Sequence, residues 1–209
     1  YGAAPLAAVR QSRPMEWIII TLASMFAGFV DAVVGGGGLI LVPALFGAFP
    51  SAAPATLLGT NKSAGVWGTL ISARQYAKRV DMRWAAIAPA AGAGFAASLL
   101  GAWAVTVVDP SMLRKALPLI LIAVLAYTLY KKQLGQTHAP RYSGRTEAWV
   151  ASVIGATIGF YDGFFGPGTG SFFVFLMVRW LGYGLLNASA SGKILYISTV
   201  VGALFLFTA

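Results

Sequence analysis

The sequence predicts an all-α polytopic membrane protein built from two homologous four-span repeats, and three observations support this prediction. Hydrophobic residues make up 58% of the chain and charged residues only 10%, whereas a soluble domain carries about 25% charged residues. Several long segments are free of charge or nearly so, and they reach the roughly 20 apolar residues that a membrane-spanning helix needs. A glycine-containing motif also occurs twice in the chain.

The two copies of this motif lie 131 positions apart. Residues 28–38 read GFVDAVVGGGG and residues 159–169 read GFYDGFFGPGT. Each copy places an aspartate before its glycines, and a lysine recurs at the same offset, at positions 62 and 193. A long internal repeat indicates a duplicated architecture. Residues 84–131 have no counterpart at this offset, so the second repeat is incomplete in this sequence. Either the molecule lacks two helices of its second half or the sequence stops early, and we expect the latter.

Hydropathy and charge divide the chain into a basic N-terminal leader (1–14), a first transmembrane repeat (15–131), a polar loop (132–146) and a partial second repeat (147–209). The hydrophobic segments lie at about 17–48, 51–77, 84–108, 112–131, 147–178 and 183–209. Ser111, after Asp109-Pro110, is a candidate helix cap. Four spans per repeat predict parallel repeats, with the N-terminus and the loops near 78–83 and 131–145 inside and the turn near 49–55 outside. A re-entrant pair at the glycine runs would change this count.

Breaks are predicted at both glycine runs. A single helix over residues 17–48 would far exceed the membrane core at 1.5 Å per residue. Four consecutive glycines at 35–38, and Gly-Pro-Gly-Thr-Gly at 166–170, disfavour a continuous helix. Helices resuming at about Leu39 and Ser171 would direct backbone N–H groups towards the break, which suits an anion. Alternatively, the glycines only permit close helix packing.

Four ionisable residues lie deep in apolar sequence: Asp31, Lys62, Asp162 and Lys193. Each charge at a membrane centre costs roughly 2.5–3.5 kcal/mol, so two interpretations remain. Asp31–Lys62 and Asp162–Lys193 are structural ion pairs, or the lysines bind an anion while an aspartate exchanges protons with it. The predicted anion-binding set is Lys62, Lys193, Asn61, Thr60, Ser191, Gly36, Gly37, Gly38, Gly168, Thr169 and Gly170.

Composition and motifs argue against several other classes of protein. The chain has no cysteine, which excludes disulfides and thiolate metal sites, and its one histidine lies in the polar loop. No nucleophile–base arrangement is visible, so we predict no enzyme activity, no metal and no cofactor. The net charge of +9 comes from clusters beside the spans, which is typical of a membrane protein rather than of a nucleic-acid binder.

Three motifs carry a family resemblance: GFVDAVVGGGGLILVPAL, GTNKSAG and GFYDGFFGPGTGSFF. With them, residues 17–209 resemble the TauE/SafE (sulfite exporter, TSUP) family, and most of all its permease subfamily. The resemblance implies seven or eight spans from a duplicated four-span unit. It also implies a bacterial inner-membrane protein that moves small anions such as sulfite, sulfonates or other organosulfur compounds.

Together these observations predict a secondary transporter of small, sulfur-containing anions with a midplane site between the repeats. Its expected partners are the lipid bilayer and the anion, with proton coupling through Asp31 or Asp162 and homo-oligomer formation left open. A passive anion channel and a non-transporting membrane scaffold remain as alternatives.

Overall fold

The computed structural model describes residues 14–34, 36–130 and 138–208, and all regular structure in these ranges is helical. The helices are α1 (Pro14–Val34), α2 (Gly38–Ala48), α3 (Pro54–Ala77), α4 (Trp84–Val107), α5 (Pro110–Tyr130), α6 (Gly144–Phe164), α7 (Thr169–Leu176) with a π-helical turn at Met177–Leu181, and α8 (Leu185–Thr208). The predicted leader up to residue 13, Gly35 and the loop segment 131–137 lie outside the described residues.

The first glycine run joins two helices of an antiparallel hairpin. A Cβ atom on Gly37 would lie 2.5 Å from the Ala27 carbonyl oxygen and 2.8 Å from the Asp31 Cβ, so the chain folds back onto α1. At the open end of the hairpin, the rings of Trp17 and Phe49 are 6.2 Å apart. Because α2 has 11 residues, it is about 16 Å long, roughly half of a membrane core. Segment 17–48 is therefore a re-entrant hairpin instead of a broken span.

The second glycine run forms a hairpin in the same way. α6 and α7 are joined by a tip in which Gly166 and Gly168 have φ values of +94° and +82°, a region that only glycine enters without strain. At the open end, the Tyr183 hydroxyl donates a hydrogen bond to Glu147 Oε1 at 2.5 Å. Each copy of the motif is thus followed by the same element order: a hairpin and then a 24-residue helix, α3 or α8.

The two hairpins open at opposite ends of the helix bundle. At one end, which we call the Arg114 end, the Arg114 guanidinium donates to the Ala52 carbonyl beside the opening of the first hairpin. At the other, the Arg83 end, Arg83 Nη2 lies 3.1 Å from Glu147 Oε2 beside the opening of the second hairpin. Between the two hairpins, α3, α4 and α5 each cross from one end to the other. After these three crossings the chain is at the end opposite to the one where the first hairpin opens, so the second hairpin enters from there.

This geometry contradicts the parallel arrangement expected from four spans per repeat. It also contradicts the placement of the N-terminal segment and loop 78–83 on one side. Trp17 lies at the Arg114 end with residues 49–53, whereas residues 78–83 lie at the Arg83 end. The physical reason is the re-entrant hairpin, which has the length and apolar composition of a span but returns to the side from which it entered.

Helices α4 and α6 pack with their backbones in contact. Cβ atoms on Gly155, Gly159 and Gly163 would lie 2.3, 2.5 and 2.0 Å from the carbonyl oxygens of Ala90, Gly94 and Ser98. Small residues spaced four apart permit such an approach between helices. Gly28, the counterpart of Gly159, has no atom within 4 Å of its Cβ position. Close packing therefore explains the glycines of the second motif copy better than those of the first.

Large apolar side chains cover much of the surface, as expected for a protein in contact with lipid. Met25, Trp67, Leu119 and Trp149 are each about 70% exposed. By length and composition, two helices in the described ranges qualify as membrane spans, Trp84–Val107 and Leu185–Phe207. Trp17–Asp31, Gly38–Ala48 and Thr169–Leu181 are shorter apolar helices, and these form three of the four arms of the two hairpins.

The turn between α4 and α5 is capped by an aspartate instead of the expected serine. Asp109 Oδ1 accepts a hydrogen bond from the Ser111 backbone N–H at 2.7 Å, which satisfies an otherwise unpaired donor in the first turn of α5. The Ser111 side chain and backbone hold the pKa of Asp109 below its usual value. Pro110 occupies the first helical position, where its missing N–H costs nothing.

Candidate functional site

The tips of the two hairpins meet inside the bundle. A Cβ atom on Gly38 would lie 3.4 Å from the Pro167 Cα and 3.4 Å from the Asn61 side-chain amide. Gly36, Gly37 and residues 165–169 are buried. The two glycine breaks, which are far apart in sequence, therefore form one region between the ends of the molecule.

A buried ion pair joins the two motif copies. Lys62 Nζ lies 2.9 Å from Asp162 Oδ2, and both side chains are at most 1% exposed. The same ammonium also donates to the Asp162 backbone carbonyl. The predicted structural pairs, Asp31–Lys62 and Asp162–Lys193, are therefore wrong. α3 passes beside the tip of the second hairpin, so Lys62 pairs with the aspartate of the other copy.

Both aspartates bind the glycine run that follows them. Asp31 Oδ1 accepts a hydrogen bond from the Gly37 N–H at 3.1 Å. The Thr169 hydroxyl lies 2.9 Å from Asp162 Oδ1 and 2.7 Å from the Gly166 carbonyl oxygen, so its proton serves one acceptor at a time. Each carboxylate thus holds the tip of its own hairpin in place.

A cavity of about 60 Å³ lies between the two tips. Since about 10–15 Å³ of such cavity volume holds one water molecule, this volume suits a small polyatomic ion. The cavity is lined by Asp31, Gly38, Thr69, Tyr76, Gly166, Gly168, Thr169, Gly170, Val174, Ser189, Gly192, Lys193 and Tyr196. We call it the tip cavity.

Lys193 is the cationic side chain of the tip cavity. Its Nζ lies 6.0 Å from the centre of the Tyr76 ring, within reach of a cation–π contact. In the described part of the chain, no carboxylate forms an ion pair with Lys193, although Asp31 lines the same cavity. Lys62 and Lys193, which are equivalent in the sequence, therefore differ: one is neutralised by a buried partner and the other is available to a ligand.

A second cavity, of about 120 Å³, lies on the other side of Asp31. We call it the side cavity. Asp31, Gly38 and Tyr196 line both cavities. The remaining residues of the side cavity are Ser24, Ala27, Gly28, Gly37, Leu41, Asn61, Ala64, Gly65, Gly68 and Ser72. Asp31 thus separates a site that holds a lysine from a space that holds hydroxyl and amide groups.

The structure brings together about half of the predicted site residues. Those that line the tip cavity are Asp31, Lys193, Gly38, Gly168, Thr169 and Gly170. Gly37 and Asn61 line the side cavity, while Gly36 and Ser191 are buried outside both. Thr60 lies on an exposed face of α3, where its hydroxyl donates to the Thr56 carbonyl at 2.8 Å.

Sequence reasoning missed four polar residues of the tip cavity: Thr69, Tyr76, Ser189 and Tyr196. Helical spacing offered a signal for two of them. Ser189 and Tyr196 lie four residues before and three residues after Lys193, and such positions share one helix face. Thr69 and Tyr76 are seven and fourteen residues after Lys62, so they follow the same face of α3 further along the helix.

Comparison with known proteins identifies the family of this chain. The family model described as "Sulfite exporter TauE/SafE" matches residues 20–209. The chain belongs to the TauE/SafE family. Family membership and the apolar surface together make it a membrane protein.

Several curated proteins are similar to this TauE/SafE chain over most of their length. A probable membrane transporter protein, ORF9, from Sinorhizobium sp is 38% identical over 89% of this chain and 70% of its own. The probable membrane transporter protein YfcA of Escherichia coli K12 is 34% identical over 93% of this chain and 71% of its own. A probable membrane transporter protein of Haemophilus influenzae is 32% identical over 90% and 72%. No solved structure matches the chain.

Proposed function

We propose that this protein is a secondary transporter of small anions and that the tip cavity is its substrate site. The observation that carries the proposal is Lys193, a cation without an ion-pair partner among the described residues, in a cavity between two re-entrant hairpin tips. A lysine ammonium is a strong point charge for an oxyanion. Because the ammonium forms no ion pair among the described residues, it can take a bound anion as its direct partner.

The backbone around the tip cavity also favours an anion. α2 begins at Gly38 and α7 at Thr169, and both residues line the cavity. The N-terminal end of a helix carries partial positive charge. Discontinuous helices that direct such ends at an anionic group are a recurring construction in secondary transporters. The Ser189 hydroxyl, which also lines the cavity, would supply a further hydrogen bond to an oxygen of the anion.

The family supports the substrate class. Its description names sulfite export, and the relatives' names describe membrane transporters. We therefore propose sulfur-containing anions such as sulfite and sulfonates. In this proposal Lys193 binds the anion, whereas Lys62 serves as the counterion of Asp162.

The unit of a hairpin and the helix after it occurs twice, in opposite orientations, and this arrangement would allow transport. Two hairpins that enter from opposite ends and meet at one site allow access to alternate between the two sides.

Exposed or half-exposed basic residues gather at the Arg83 end: Arg74, Lys78, Arg79, Arg83, Arg141, Arg145 and Arg179. By the positive-inside rule, we assign this end to the cytoplasm of a bacterial inner membrane.

Flux measurements in liposomes test the proposal. We expect labelled sulfite or a labelled sulfonate to be transported by the wild-type protein, and Lys193→Ala to reduce the flux at least tenfold. Lys115→Ala is the control, because this lysine is exposed on α5 near the Arg114 end. Unchanged flux in Lys193→Ala would remove the anion-binding role of this residue.

The alternatives give different results in the same preparation. Currents in a planar bilayer far above carrier turnover would indicate a passive anion channel. Absence of movement for a broad panel of sulfur oxyanions, sulfonates and carboxylates would indicate a non-transporting membrane scaffold.

A further inference from the structure

Two lysine–aspartate positions in this molecule are related by the sequence offset. The partners of the closed pair are Lys62 and Asp162, and their counterparts 131 positions away are Lys193 and Asp31. The counterparts line one cavity without forming an ion pair. One of the two related positions is therefore closed by an ion pair, and the other is open.

At the open position the charges of Lys193 and Asp31 sum to zero. Within the described residues, Lys193 and Asp31 are the oppositely charged side chains that line the tip cavity. The elements around Asp31 contribute the ionisable groups Lys62 and Tyr76 from α3, Lys193 and Tyr196 from α8, and Asp162 from α6; α2 and α7 contribute none.

Since Lys62 and Asp162 neutralise each other, a monovalent anion that enters the cavity adds an uncompensated negative charge. In a medium of low dielectric constant, an unpaired charge costs several kcal/mol. The nearest way to cancel this charge is to protonate the carboxylate that shares the cavity.

We infer that Asp31 takes up one proton for each monovalent anion that binds beside Lys193, so that anion and proton cross the membrane together without net charge. This inference rests on the proposed function. In the binding step, a hydronium ion of the solvent loses a proton to a carboxylate oxygen of Asp31, so one O–H bond breaks in hydronium and one forms on the carboxyl group. The anion then balances the charge of Lys193, and no other covalent bond changes.

The structure distinguishes Asp31 from Asp162 for this role. Asp162 is fully buried and held by both Lys62 and Thr169. Asp31 is only partly buried, accepts one hydrogen bond from Gly37, and borders the side cavity with its Ser24, Ser72 and Asn61 groups. A space of about 120 Å³ with these hydroxyl and amide groups on its wall can hold water. Asp31 therefore has a source of protons, whereas Asp162 has a permanent counterion.

Calorimetry on the purified protein measures the proton directly. Methanesulfonate is the probe, because its own charge stays constant between about pH 5 and about pH 9, so any proton change belongs to the protein. Titrations in two buffers with different ionisation enthalpies give the number of protons taken up per anion. Between the pKa of Asp31 in the free protein and its pKa in the complex, we expect about one proton per anion and a Kd that rises about tenfold per pH unit.

Asp31→Asn imitates the protonated residue. The amide oxygen can still accept the Gly37 N–H, so the hairpin tip keeps its hydrogen bond. This variant should bind methanesulfonate with no proton uptake and with a Kd independent of pH. The matched control is the double variant Lys62→Met/Asp162→Asn, which removes the closed pair as a unit and should still take up about one proton.

Each outcome has a definite meaning. Methanesulfonate binding without proton uptake in the wild type overturns the inference and leaves the proposed function intact. Proton uptake that persists in Asp31→Asn but disappears in the double variant also overturns it, because Asp162 would then be the acceptor. Failure of the wild type to bind methanesulfonate, sulfite and sulfate overturns both the inference and the proposed function. The wild-type titration is decisive even where a variant does not fold.

Discussion

Lys62 and Lys193 have matching positions in the two motif copies, yet their environments predict opposite effects of substitution. Lys62 is the buried partner of Asp162 at 2.9 Å, while Lys193 is partly buried and lines the tip cavity. The first should contribute to stability and the second to ligand binding.

Lys62→Met is expected to destabilise the protein strongly. It leaves the Asp162 carboxylate buried without a counterion, and loss of one partner of a buried pair costs about 3–5 kcal/mol. The measurement is thermal unfolding in detergent, with Lys193→Met as the matched control. A fall in Tm for Lys193→Met as large as that for Lys62→Met would contradict the distinction between the two lysines.

Tyr183, at the Arg83 end, provides a test of pH-dependent stability outside the membrane spans. Burial, followed by the hydrogen bond to Glu147, raises the pKa of the Tyr183 phenol above its ordinary value. Because the folded protein favours the neutral phenol, this stabilisation is complete below the unfolded pKa of about 10 and is lost as pH rises through the higher folded pKa.

Tyr183→Phe should therefore reduce stability by about 1.5–3 kcal/mol at neutral pH, the range for a hydrogen bond to a charged group. Above about pH 10 the difference from wild type should shrink, since only the wild type loses stability through this phenol. Unfolding curves at neutral and alkaline pH measure both effects. A difference that stays constant with pH would show that the phenol does not titrate differently in the two states.

At the scale of secondary-structure elements, the glycine stripe of α6 and its counterpart on α1 give a matched pair of substitutions. Gly159→Ala would place a Cβ 2.5 Å from the Gly94 carbonyl oxygen, which forces α4 and α6 apart. Overpacking of this kind costs about 1–3 kcal/mol. Gly28→Ala meets no atom within 4 Å and should be neutral, or stabilising by up to about 1 kcal/mol.

Thermal unfolding of the two glycine variants checks this difference. Equal Tm values for Gly159→Ala and Gly28→Ala would mean that close contact between α4 and α6 does not limit stability. The same experiment shows whether the glycines of the two copies have different roles. Those of the first copy would leave space beside Asp31, and those of the second would permit close packing of the helices.

The elements also show why sequence reasoning located the breaks and left their re-entrant shape only as an alternative. Glycine and proline exclude a continuous helix at 35–38 and 166–170 through local backbone preferences. Whether the chain continues across the membrane or turns back depends on contacts such as Gly37 with Ala27. Those contacts join positions ten residues apart and leave no periodic signal.

At the scale of the whole molecule, the opposite openings of the hairpins predict where each loop faces. The chain contains no cysteine, so single cysteines can be introduced without further changes. Ser51 is exposed in the turn at the Arg114 end, and Ser143 is exposed just before α6 at the Arg83 end. In intact cells, a membrane-impermeant maleimide should label Ser51→Cys, and Ser143→Cys only after the membrane is opened.

Labelling of both cysteines in intact cells would contradict the opposed ends. The reverse pattern would keep the opposed ends but contradict the assignment of the Arg83 end to the cytoplasm.

Composition and motif determined the class of this protein without any structure. Apolar segments of about 20 residues have the length of a membrane-spanning helix, and a helix satisfies its own backbone hydrogen bonds in the membrane. The motif copies marked Asp31 and Lys193, and both line the tip cavity. These inferences depend on the chemistry of single residues and the composition of short segments, and both can be read from the sequence.

Only the tertiary structure decided which charges are paired and which way the units point. The sequence offers Lys62 two chemically equivalent aspartates. Lys62 pairs with Asp162 because α3 passes beside the tip of the second hairpin. The opposite entry of the hairpins likewise follows from where distant helices pack. Hydropathy measures how apolar a segment is but not on which side of the membrane it ends. The ion pairs and the direction in which each hairpin enters therefore follow from the fold alone.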